Sequence, residues 1–169
     1  MAPRILIAGI GNIFLGDDGF GPEVIRHVSP GLSTRDHAGV SVTVVDYGIR
    51  GMHLAYDLLE DWRALVLIDA VPDRGSPGAV HVFEADHGSL GATAGLDAHG
   101  MDPGAVFASL EALGGSAPPT IVIGCEVHSV EDGIGLSDVV AAAVPRAADA
   151  IDSVLQTLAA ESDAMIREG

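Results

Sequence analysis

Residues 4–21 read RILIAGIGNIFLGDDGFG. A short apolar run, Ile5-Leu6-Ile7-Ala8, enters a glycine-rich turn, and helix-like sequence resumes near Pro22. A strand followed by such a turn and a helix is the opening unit of many α/β folds. Here the turn carries two adjacent carboxylates, Asp17 and Asp18. The pattern continues outward. Residues 20–29 place Phe20, Val24, Ile25 and Val28 on one helical stripe, with Pro22 near the first turn. Residues 40–46 alternate and are β-branched, which predicts a strand. Residues 51–61 predict a helix, and 64–69, ALVLID, a strand buried on both faces. Residues 79–84 predict a strand, 102–113 a helix and 120–126, TIVIGCE, a strand. A last helix is expected from a Ser137 cap, with Asp138 in its first turn, to about residue 160, bent or broken at Pro145.

Strands alternating with helices predict a mostly parallel sheet covered on both faces, a three-layer α/β/α domain spanning 1–169. One link departs from this. Residues 70–78, AVPDRGSPG, are too short for a crossover helix, so the strand at 79–84 is expected to run antiparallel. Residues 85–101 form a long helix-free stretch of the kind that often carries function.

Composition narrows the partners. The chain has 169 residues, 48% hydrophobic and 19% charged, which is a folded globular balance. Its formal net charge is −16, and all 8 basic residues are arginine. Such acidity argues against nucleic acid and anionic membranes as partners. A single cysteine, Cys125, and no membrane-length apolar run predict a cytoplasmic protein.

Three uses of the glycine turn can be tested on its residues. The dinucleotide pattern G-x-G-x-x-G fails at its third glycine, where Phe14 stands. A Walker A loop would place lysine and a hydroxyl where Asp17 and Asp18 lie, and carboxylates repel phosphate. A phospho-acceptor receiver needs a lysine at its last strand, and the chain contains none. A cation remains. Ligands of open α/β sheets sit beyond the carboxyl ends of the strands. Asp18 follows the first strand there and Asp69 ends the third. Each also has a bland role available, Asp69 as a cap or turn former and Asp17 or Asp18 as a helix N-terminal charge. Among seven histidines, His27 and His53 fall in helices, His37 and His87 in turns, and His81 in a strand. His128 follows the last strand, and His99 lies in the long loop just before a helix. Asp18, Asp69 and His99 make an O,O,N set with open coordination positions. No Ser-His-Asp arrangement can be placed. Cys125 lies inside an apolar strand, as a buried hydrophobe rather than a nucleophile.

With those residues in view, the chain resembles the hydrogenase maturation endopeptidases over nearly its whole length. The segments that carry the resemblance are GIGNIFLGDDGFGPEV (9–24), VVDYGIRGMHL (44–54), LVLIDAV (65–71), DAHGMDPGAVFASL (97–110) and GCEVHSVEDGIGLSDVV (124–140). The resemblance implies a five-stranded mixed sheet of order 2-1-3-5-4 with strand four antiparallel, a phosphorylase/hydrolase-like architecture. It implies nickel contacts at Asp18, Asp69 and His99, with aspartate rather than glutamate at the first. Asp17, Asp46, Gly48 and Gly51 are implied as supporting residues. The implied activity is endopeptidase removal of a C-terminal extension from a [NiFe] hydrogenase large-subunit precursor, with nickel arriving on the substrate. Two other readings stand beside it: a non-catalytic module that checks nickel, and a hydrolase of the same fold with another substrate.

Overall fold

A computed structural model describes residues 2–32, 39–85 and 102–168. The strands are β1 (Arg4–Ile10), β2 (Ser41–Gly48), β3 (Ala64–Val71), β4 (Val80–Glu84) and β5 (Thr120–Glu126). The helices are α1 (Phe20–Leu32), α2 (Gly51–Asp57), α3 (Pro103–Ala112), α4 (Asp138–Ala141) and α5 (Val144–Glu168), with a 3-10 turn at Gly16–Gly19. The strands form one sheet of order β2-β1-β3-β5-β4. All neighbours are parallel except β4, which runs antiparallel to β5 from Val80 opposite Cys125 to Glu84 opposite Ile121. The expected topology is therefore the observed one, antiparallel strand included.

Side-chain alternation builds the three layers. Ile5 and Ile7 of β1, Val66 and Ile68 of β3, and Ile123 and Cys125 of β5 pack with α1, α4 and α5. Leu6, Ala8, Ile10, Leu65, Leu67 and Val122 point the other way, against α2 and α3. Each such side chain contributes roughly 1.5–3 kcal/mol by leaving water. Helix α1 sits close on the sheet because Gly21 faces it. A Cβ there would overlap the carbonyl oxygens of Ile10 and Ile68.

Three expectations change in detail. Helix α2 ends at Asp57 rather than near residue 61. Strand β4 alternates in sequence but not in burial, since four of its five residues are exposed at the sheet edge. The last helix is two helices. The break falls at Ala142–Ala143, and the chain re-enters at Val144 so that Pro145, which has no N–H to give, lies in a first turn. No described helix is long and apolar enough to cross a membrane.

Candidate active site

The carboxyl ends of β1, β2, β3 and β5 lie at one end of the sheet, and the acidic turn folds over them. The turn begins at Gly11, whose φ of 140° and backbone contact with Asp18 leave no room for a side chain. Asn12 N–H donates to Asp18 Oδ2 at 2.8 Å. Asp18 is buried, and so is Asp17 beside it.

The two neighbours do different work. Asp17 turns into the protein. Its Oδ2 accepts from the N–H groups of His128 and Ser129, both at 2.9 Å, and from Ser137 Oγ at 2.8 Å. Its Oδ1 accepts from Ser137 N–H at 2.7 Å. Burial pushes this carboxyl up, but the Ser129, Ser137 and His128 N–H groups together with the Ser137 hydroxyl outweigh it. The group is held below the usual carboxylate range. Backbone bonds run alongside: Asp17 N–H to Ser129 O, Gly16 N–H to Gly133 O and Gly133 N–H to Phe14 O, each at 2.9 Å. Asp17 thus fastens the acidic turn to the loop after β5. Ser137 adopts the extended backbone of a helix cap, yet its side chain makes no cap bond, because the hydroxyl is spent on Asp17. That corrects its expected role as a capping side chain.

Asp69 lies opposite Gly124 of β5, near the end of β3. Burial drives its carboxyl well above the carboxylate range, and the charges of Asp18 and Asp102 push it further. Asp18 and Asp69 therefore feel each other directly, as two carboxyl groups at the mouth of the sheet. Such a pair favours a shared proton or a cation. Asp102 caps α3, accepting from Gly104 N–H at 2.9 Å. It was not singled out in the sequence, although Asp-Pro ahead of an apolar run is a helix-start signal.

Asp46 and Gly48 stand at the end of β2, and Gly51 opens α2 just after it. Asp46 Oδ1 accepts from Gly48 N–H at 2.9 Å, Gly48 has a φ of 56°, and Gly48 O accepts from Gly11 N–H at 3.0 Å. Gly51 opens α2 with its N–H on Ile49 O at 3.0 Å. This turn braces the first residue of the acidic turn.

His99 lies outside the described residues, as do His37 and His87. Among the described residues, no three His, Cys, Asp or Glu side chains gather as a metal-holding group. His128 is exposed and joins the site by its backbone N–H. Cys125 is fully buried, and burial pushes its thiol up to about 11. Glu126, the buried last residue of β5, was not anticipated. It accepts from Arg74 N–H at 2.7 Å and Ser76 N–H at 3.2 Å, and pairs with His81 Nε2 at 2.7 Å. It anchors the link between β3 and β4.

Comparison with known proteins places this arrangement in a lineage. A family model described as hydrogenase maturation protease (HycI) matches residues 23–154, a span that contains Asp69 and His99 and begins after Asp18. The coenzyme F420 hydrogenase subunit delta of Methanothermobacter thermautotrophicus is 31% identical over 148 residues, covering 85% of this chain and 89% of that one. A putative hydrogenase maturation protease of Methanocaldococcus jannaschii is 33% identical over 151 residues, covering 87% and 93%. The structure of the Escherichia coli hydrogenase maturating endopeptidase HybD superposes with a TM-score of 0.74 at 25% identity, covering 91% of this chain and 93% of that one. The sheet order, the acidic turn over its carboxyl end and these matches together make this chain a member of the hydrogenase maturation protease family.

Proposed function

We propose that the protein is an endopeptidase that removes the C-terminal extension of a [NiFe] hydrogenase large-subunit precursor once nickel has been inserted. In this reading Asp18, Asp69 and His99 contact the nickel that the substrate carries. What supports it most is the placement of Asp18, buried just past β1, and of the half-buried Asp69, near the end of β3, at the ligand-binding end of the sheet, where the Asp18 charge helps raise the Asp69 carboxyl. A cation relieves that repulsion. His99 precedes Asp102 by three residues, a tether of about 10 Å when extended. Asp102 in turn acts on Asp69. An ion bound by such residues polarises a neighbouring carbonyl. Asp17 and the turn of Asp46, Gly48 and Gly51 hold the acidic loop so that Asp18 meets the substrate already oriented. Two carboxylates and one imidazole form a weak, unselective set for nickel on their own. The substrate's own ligands complete the coordination, so that cutting reports nickel insertion.

The test is processing of nickel-loaded and nickel-free precursor, read as a new C-terminus by mass spectrometry. Wild-type protein should cut only the loaded form. Alanine at Asp18, Asp69 or His99 should leave it uncut with the fold intact by circular dichroism. Efficient cutting of nickel-free precursor in chelator would overturn the reading.

A further inference from the structure

The backbone bonds that join the acidic turn to the loop after β5 also fix what the two segments show to solvent. Leu15 and Gly133 form an isolated parallel bridge, flanked by the Phe14–Gly133 and Gly16–Gly133 hydrogen bonds. On either side of it stand Ile13, 47% exposed, Phe14, 60% exposed, and Ile134, 77% exposed. Large apolar side chains held out on a hydrogen-bonded frame are not the scattered exposed leucines of an ordinary surface. They form a lip beside the buried Asp18, only four residues from Phe14 in the same turn. Below the lip an open groove of about 1050 Å³ runs along α1 toward the start of α5, with Ile13, Ile134, Leu136 and Val144 on its walls and the Glu23–Arg26 ion pair of α1 also lining it. Behind Ile134 the sequence 131–138, EDGIGLSD, adds exposed Glu131, Asp132 and Asp138 and no basic residue. None of these three is in an ion pair among the described residues.

We infer that this lip and groove form an exosite for the folded body of the precursor, engaging an apolar protrusion with a basic rim. The inference rests on the proposed function for the identity of the partner and adds where that partner docks. Two features select the occupant. The lip belongs to the same turn as Asp18, four residues from Phe14, so a protein that delivers a bond to Asp18 passes it. The acidic flank complements a basic rim. Affinity then comes from a surface beside the carboxylates, which are left to recognise the ion.

The experiment measures binding and cutting separately, with nickel-loaded precursor and the full chain. The double variant Phe14→Ser/Ile134→Ser should weaken association by about tenfold or more, as expected for apolar interface anchors. Its KM should rise with kcat unchanged and its thermal midpoint within a few degrees of wild type. The control is Met165→Ser/Ile166→Ser, which removes two equally exposed apolar side chains, 64% and 71%, near the end of α5. Met165 lies against Arg63, before β3, at the opposite end of the sheet. The control should bind as wild type does. Charge reversal, Glu131→Lys/Asp132→Lys, should slow association and flatten its salt dependence. Unchanged binding of the lip variant would overturn the exosite, and so would an equal loss in the control. A self-associated wild type that Phe14→Ser/Ile134→Ser turns monomeric would assign the lip to a second copy and overturn it too. If wild type binds the precursor but never cuts it, the proposed function fails while the binding data still decide the exosite.

Discussion

Asp17 receives both the backbone N–H and the hydroxyl of Ser137, at 2.7 and 2.8 Å, across 120 residues of sequence. With the N–H groups of His128 and Ser129, one carboxylate satisfies four donors at the edge of the core. Removing it strands them. Asp17→Ala should cost about 3–5 kcal/mol, because several buried donors lose their acceptor and each stranded group costs about 1–3 kcal/mol. Asp17→Asn should cost about 3 kcal/mol, since an amide turns an NH₂ toward donors. Ser137→Ala loses one bond to a charged group and should cost about 1.5 kcal/mol. Urea unfolding of the three variants checks the order.

Gly21 sets a second expectation. Glycine to alanine in an exposed helix gains about 1 kcal/mol. Here the new Cβ meets the backbone oxygens of Ile10 and Ile68, which cannot give way. Gly21→Ala should therefore destabilise, by about 3 kcal/mol, the overpacking range. A midpoint at or above wild type would show that α1 can slide off the sheet.

Glu126 ties stability to acid. The hydrogen bond from His81 and those from the Arg74 and Ser76 N–H groups hold its carboxyl below the ordinary range, against burial. A carboxyl lowered on folding stabilises fully above its unfolded value, and that stability is lost as the pH falls through the folded value. Wild type should thus lose stability below about pH 4, where glutamate begins to protonate. Glu126→Gln should be less stable at neutral pH and show a shallower loss on acidification. Unfolding midpoints across the acid range read both.

Cys125 should be inert in the folded protein. It is buried, and its thiol sits near 11, so almost no thiolate exists at neutral pH. Iodoacetamide should modify it only after denaturation, and Cys125→Ala should keep processing activity. Rapid native alkylation that abolishes activity, with the fold intact, would point to a cysteine mechanism.

The purified chain alone should hold well under one nickel per molecule after desalting, because its two carboxylates and one imidazole lack the softer ligands nickel prefers. Metal analysis before and after mixing with precursor is the check. Stoichiometric nickel in the isolated chain would make the metal resident rather than carried by the substrate.

The sequence disclosed most where local physics acts alone. TIVIGCE is a strand because it opens on four β-branched residues, Thr120 to Ile123, and its bounds in the structure are residues 120–126 as expected. The short link 70–78 was enough to make β4 antiparallel. Ser137 shows the other side. Its sequence context is that of a cap, and the competing partner, Asp17, lies at the far end of the chain where no local pattern reveals it. Glu126 was hidden for the same reason: its partners Arg74, Ser76 and His81 come together only through the sheet. At the candidate site, Asp18 and Asp69 were legible from strand ends. Their mutual influence, and that of Asp102, needed the folded chain.

The strand order carries a consequence for how the molecule is made. β4 follows β3 in the chain but does not pair with it; β5, the last strand, lies between them. As the polypeptide leaves the ribosome, β1, β2 and β3 can pair at once, while β4 waits without a neighbour for residues 120–126. Asp17 waits longer, until Ser137 has emerged. Asp17, the first carboxylate to be synthesised, is thus among the last to be seated. A nascent or truncated chain ending before that point carries every residue of the acidic turn without the framework that aims it.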